Sequence, residues 1–124
     1  MSEIRANTIS DAAGTGPITL TGQSAAKAWV NFNGTGTIAA RDSFNVSSLT
    51  DVANGRYDIN NTNSFSSANY SASGISQDTG YGDGIVIDAA VAPTASSFQF
   101  YNITYTSSVA DNARLLLNMH GDLA

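Results

Sequence analysis

Residues 98–105 alternate with a period of two. Phe98, Phe100, Asn102 and Thr104 fall on one side, and Gln99, Tyr101, Ile103 and Tyr105 on the other. Only an extended strand separates odd from even positions in this way. Apolar groups on both sides predict a strand held between a core and a partner chain. The same period runs through residues 28–32, where Ala28, Val30 and Phe32 oppose Trp29 and Asn31. Tyr57 and Ile59 share a face in residues 56–60.

Turn chemistry separates these segments. Asn33-Gly34 and Asn54-Gly55 are residue pairs that tolerate positive φ, and each stands beside a predicted strand. Thr37 to Arg41 reads as a return strand. Phe44, Val46 and Leu49 read as a short bulged one, because their spacing slips by one residue. Residues 61–68 read as a loop around Phe65, and Asn69 to Ile75 as a weaker strand. Ile85, Val86 and Ile87 are the strongest candidate for a buried strand. Residues 113–119 have helix propensity, but a lone helical turn is marginal, so a last strand is expected. Eight or nine short strands at intervals of 8–12 residues predict an all-β fold, a small antiparallel β-sandwich or barrel.

The 124 residues amount to one domain with a modest core, which sister copies would help to complete. Residues 1–24 differ from the remainder. Their large apolar groups are Ile4, Ile9, Ile18 and Leu20, too few to build a core. They are expected to form an N-terminal arm whose apolar residues anchor it on another chain, with the sandwich domain spanning 25–124. A flexible tail is the plainer alternative.

Charge excludes several functions. Only 12% of residues are charged, and the net charge is −5. The five basic residues, Arg5, Lys27, Arg41, Arg56 and Arg114, are scattered, which argues against nucleic-acid binding. There is no cysteine. No apolar run approaches the roughly 20 residues that span a bilayer, so no membrane insertion is expected. The opening residues lack the apolar core of a signal peptide, so synthesis in the cytoplasm is expected.

No motif for catalysis or for a cofactor emerges. His120 is the single histidine, and a solvated terminal residue is its expected role. Asp78, Asp83 and Asp88 gather near a glycine-rich loop, but their spacing is not that of a calcium loop, and solvated carboxylates are expected. Gly80, Gly82 and Gly84 lack the Lys and the helix of a phosphate loop. The sequons at Asn33, Asn45, Asn60, Asn69 and Asn102 are what a chain rich in Asn, Ser and Thr yields by chance. Trp29, the only tryptophan, is expected in the core or at a subunit interface, with sugar stacking as the lesser alternative. Val30, Phe32, Phe98, Phe100, Tyr101 and Ile103 complete the expected core or interface set. Tyr81, an aromatic in the glycine-rich loop, is the expected contact if a glycan binds.

Residues 26–37, AKAWVNFNGTGT, and 41–48, RDSFNVSS, resemble a run found in phage tail-fibre-like virion proteins, many from marine and cyanobacterial phages. Gly55-Arg56-Tyr57-Asp58-Ile59, Ala68-Asn69-Tyr70, residues 92–98 and the opening Ile4 to Asp11 are similar to further segments of that family. Residues 60–65 depart from it, replacing a Thr-rich strand. The resemblance implies a surface-exposed virion structural protein, trimeric, with an antiparallel sandwich of jelly-roll or H-type-lectin kind and no catalytic residues. A decoration or short fibre knob suits a chain this short. Its partners would be sister copies in a homotrimer and other virion proteins. The alternative is a lectin-like module for host attachment that holds a surface glycan. A depolymerase is the least supported reading.

Overall fold

The computed structural model describes residues 13, 25–77 and 83–124. Ile4, Ile9, Ile18, Leu20 and Tyr81 lie outside the described residues, so the expectations for the arm and for the glycan contact do too. The described chain forms eight strands: β1 (Ala28–Asn33), β2 (Ala39–Phe44), β3 (Val46–Ala53), β4 (Arg56–Asn61), β5 (Ser71–Ser76), β6 (Gly84–Ile87), β7 (Ser97–Ile103) and β8 (Leu115–His120). They build two four-stranded sheets, one in the order β2-β1-β8-β5 and the other in the order β3-β4-β7-β6. All pairings are antiparallel. The expected all-β, two-sheet architecture is therefore present, and residues 115–120 are a strand.

Alternation places the core. Ala28, Val30 and Phe32 of β1 meet Leu115, Leu117 and Met119 of β8 in the first sheet. Tyr57 and Ile59 of β4 meet Phe98 and Phe100 of β7 in the second. These inward side chains are buried, and their strand neighbours are half-exposed. Aromatic rings join the layers. Phe32 of the first sheet stands edge-on to Tyr57 and Phe100 of the second, at 5.3 Å and 6.4 Å between centroids. Such pairs add about 0.5–1.5 kcal/mol each beyond the area they bury. Phe65, from a segment read only as loop, stacks on Tyr70 at 4.4 Å and closes one end of the core.

Two turns differ in their chemistry. Asn54-Gly55 joins β3 to β4 with Gly55 at φ 64°, as its sequence predicts. A Cβ on Gly55 would also lie 2.5 Å from the Ala110 nitrogen. Asn33-Gly34 does not make a two-residue hairpin. The connection runs over residues 34–38, and its positive φ is at Gly36. Gly34 is required for space instead: a Cβ there would sit 2.5 Å from the Tyr57 hydroxyl and 2.6 Å from Leu115 Cδ1.

Asn45 turns the chain from one sheet to the other. It adopts φ 56°, and its Nδ2 donates to the Lys27 and Asn63 carbonyls at 3.0 Å each. Its Oδ1 accepts the Asn63 N–H at 2.7 Å. These bonds offset the strain of a left-handed residue. Phe44 and Val46 therefore belong to different sheets, not to the single bulged strand their spacing predicts. The register slip itself is real, but it lies between Val46 and Ser48 within β3.

The sandwich has two flanks. On one, the edge strands β2 and β3 run on from each other through Asn45. On the other, the edge strands β5 and β6 lie side by side.

Candidate functional site

The outer face of the first sheet carries a groove of about 500 Å³. Three strands make it. Trp29 and Asn31 come from β1, Leu116 and Asn118 from β8, and Ser73 and Ile75 from β5. Their placement follows from register. Trp29 pairs with Asn118, and Asn118 with Ser73; in the next row Asn31 pairs with Leu116, and Leu116 with Ile75. Because Val30, Leu115 and Leu117 point into the core, these neighbours must point away from it. Phe44 of β2 pairs with Trp29 at the groove's far side and is exposed.

The groove's polar groups are only partly committed within the chain. Ser73 Oγ donates to Asn118 Oδ1 at 2.8 Å. That bond leaves the Asn118 amide hydrogens without an acceptor among the described residues. Asn31 Oδ1 is shielded from water and has no hydrogen-bond partner among the described residues. Among the described residues no Lys, Arg, Asp or Glu lines the groove.

The second sheet turns a different chemistry outward. Arg56 Nε donates to Gln99 Oε1 at 2.9 Å, its guanidinium lies 5.3 Å from the centre of the Tyr101 ring, and it pairs with Asp88 at 2.5 Å. Asp88, just beyond β6, is 2% exposed. Burial works to raise its carboxyl. The Ala90 N–H, the Arg56 guanidinium and the Tyr101 hydroxyl outweigh that and hold it below the usual carboxylate value. The sequence expectation of a solvated Asp88 is thus overturned: a basic residue 32 positions earlier in sequence reaches it across the sheet surface. Asp83 likewise has a structural partner, accepting from Asn112 Nδ2.

The expected core or interface set divides between the two faces. Val30, Phe32, Phe98 and Phe100 are buried in the core, whereas Trp29, Tyr101 and Ile103 are half-buried on outer faces. The expectation of a fully buried β6 is corrected. It is an edge strand, with Val86 47% and Ile87 56% exposed. Burial by a neighbour on both sides is a property of sheet order, which the apolar run Ile85-Val86-Ile87 cannot display. His120 is not a loose terminal residue. It is the last residue of β8 and pairs with Ser71.

Among the described residues no group of His, Cys, Asp or Glu is placed to hold a metal ion, and no helix is long and apolar enough to cross a membrane. The polar groove residues Asn31, Asn118 and Ser73 were missed at the sequence level. Isolated polar residues in alternating strands carry no local signal of what stands beside them. The fold and the groove define a small two-sheet antiparallel β protein with an uncharged outer face. No family model, curated protein or solved structure matches the chain.

Proposed function

We propose that this chain is a bacteriophage virion structural protein, a homotrimeric surface decoration or short fibre knob anchored by residues 1–24. The observation that carries the self-association is an asymmetry between the two flanks. Edge strands expose unpaired backbone groups and are ordinarily guarded by charge. The β2/β3 flank follows that rule, with Arg41, Asp42 and Asp51 in its strands. The β5/β6 flank does not. SASGIS and GIVI contain no charged residue and no proline, and they expose Ile75 (66%), Val86 and Ile87.

Copies that each carry a net charge of −5 repel one another except where a surface is neutral. The β5/β6 flank is such a surface. Three flanks meeting at a threefold axis bury the exposed Ile and Val side chains and close the assembly, leaving open only the β2/β3 edges that charge guards. The resemblance to phage tail-fibre-like proteins supplies the virion setting. It also supplies the finer expectation of a jelly-roll or H-type-lectin-like trimer. The reading assigns no catalytic residue, cofactor or nucleic-acid partner.

Sedimentation equilibrium of the full chain at micromolar concentration tests the proposal. The expected mass is three times 12.8 kDa. Val86→Lys with Ile87→Lys should give a folded monomer with an unchanged β circular-dichroism spectrum. A monodisperse wild-type monomer sinks the trimer. Labelling of purified particles with an antibody to the chain tests the virion setting separately.

A further inference from the structure

We infer that the groove over Trp29 binds a neutral saccharide, with the Trp29 indole as the stacking platform and the Asn31 and Asn118 amides as hydrogen-bond partners. This goes beyond the structural role proposed above. It gives the host-attachment alternative a site at residues other than Tyr81.

Three observations lead there. First, Trp29 stands half-exposed on an outer sheet face, between Phe44 of β2 and Asn118 of β8. An aromatic face offers a flat apolar surface to the C–H side of a sugar ring. Second, the groove presents amides. The Asn118 amide hydrogens have no acceptor among the described residues, and Asn31 stands beside Trp29 on the same outer face. A polyhydroxylated ligand supplies acceptors for such amide hydrogens, because each hydroxyl both donates and accepts. Third, the volume of about 500 Å³ falls in the range of small-ligand sites, and Leu116 and Ile75 give the groove an apolar wall. The lack of a charged side chain among the described lining residues selects a neutral sugar over a phosphate or a uronic acid.

A sister copy is the competing occupant of this face. The polar amides argue against it. A sheet face buried between copies is depleted of unsatisfied polar groups, whereas a glycan site requires them. Asn31 and Asn118 sit on β1 and β8, the two inner strands of the first sheet, whereas Ile75 of β5 belongs both to the groove wall and to the flank. Substitutions at Asn31 and Asn118 therefore test binding apart from trimerisation.

Trp29 is the only tryptophan, so its emission reports the groove directly. The full chain is titrated with the methyl glycosides of glucose, galactose, mannose, N-acetylglucosamine and N-acetylgalactosamine. Methyl glucuronide and inorganic phosphate serve as anionic controls. At least one neutral glycoside should change the emission saturably, with Kd on the order of 1 mM, as small-ligand efficiencies give. Neither anion should. Asn31→Ala and Asn118→Ala should each weaken binding about tenfold, a loss of about 1.4 kcal/mol, with unchanged circular dichroism and unchanged mass in solution. Saturation-transfer NMR on the wild-type protein gives the same readout without a variant. The inference is overturned by no response to any of the five glycosides in both measurements. It is equally overturned by wild-type affinity in both variants, or by a shift of Trp29 emission that follows dissociation of the trimer on dilution. A monomeric wild-type protein that still binds the glycoside removes the trimer and leaves the groove.

Discussion

Tyr57 Oη lies 2.7 Å from Asp111 Oδ1, tying a core ring of β4 to the segment between β7 and β8. The same carboxylate oxygen accepts the Gly55 N–H at 2.6 Å, and the Gly34 carbonyl lies 3.0 Å from the hydroxyl. One phenol thus gathers the β1–β2 connection, the β3–β4 turn and the approach to β8 at one end of the sandwich. Burial first, and then the Asp111 hydrogen bond and charge, push the Tyr57 hydroxyl far above the ordinary tyrosine value. It therefore stays protonated and donates.

Tyr57→Phe removes the donor and leaves the ring packed against Phe32 and Phe100. Asp111 keeps the Gly55 bond. The expected loss is about 1–3 kcal/mol of unfolding free energy, read from urea midpoints at constant m-value. A loss below 0.5 kcal/mol would mean that water replaces the hydroxyl at no cost.

Gly55→Ala tests the turn. The substituted residue must hold φ near 64° while its Cβ meets the Ala110 backbone. Destabilisation of about 1–3 kcal/mol is expected, visible as a lower thermal midpoint. Gly36→Ala is the control. Gly36 has φ 61° but open space around its Cβ position, so the smaller effect should be at Gly36.

Phe100→Ala opens the shared aromatic core between the sheets, where the ring meets Phe32, Tyr57 and Phe98. A cost of about 3–5 kcal/mol is expected. Single domains have only about 5–15 kcal/mol in total. The variant should be partly unfolded at 37 °C by circular dichroism.

The pH dependence has an alkaline and an acid limb. Burial pushes Tyr70 up to about 12 from 10.0, with a smaller push from the Asp58 charge. The folded form holds its proton after the unfolded form has released it. Tyr70's contribution is complete below pH 10 and is lost between pH 10 and about 12. Tyr70→Phe should flatten that part of the stability curve.

Asp88 behaves in the opposite sense. Its folded-state value is held below 3.8, so its contribution is complete above the unfolded value and is lost as pH falls through the folded one. Asp88→Asn should be less stable than wild type at pH 7, and the two should converge as pH falls through the folded-state value. Parallel acid-unfolding curves would remove the Arg56–Asp88 pair as a source of stability.

Much of the sandwich was legible locally. Periods of two in β1, β4 and β7 separated the two faces of each strand, because the pleat turns alternate side chains to opposite sides whatever the partner. Asn54-Gly55 announced its turn for the same kind of reason: positive φ is a property of one or two residues. What failed was non-local. Ile85-Val86-Ile87 looked like a central strand but occupies an edge, and Asp88 looked solvated but meets Arg56. Asn45 looked like a chance sequon, yet it holds the corner between the sheets. In each case the deciding neighbour is distant in sequence.

By itself, the sequence determined that this chain forms strands, which of their faces are apolar, and that few charges are available to guard its edges. Only the tertiary structure decided which strands lie at the edges, and that Trp29, Asn31, Asn118 and Ser73 share one groove. Strand character follows from each residue's own torsions and from alternation. Sheet order and register follow from pairing energies summed over residues as far apart as β1 and β8, and no local window contains those.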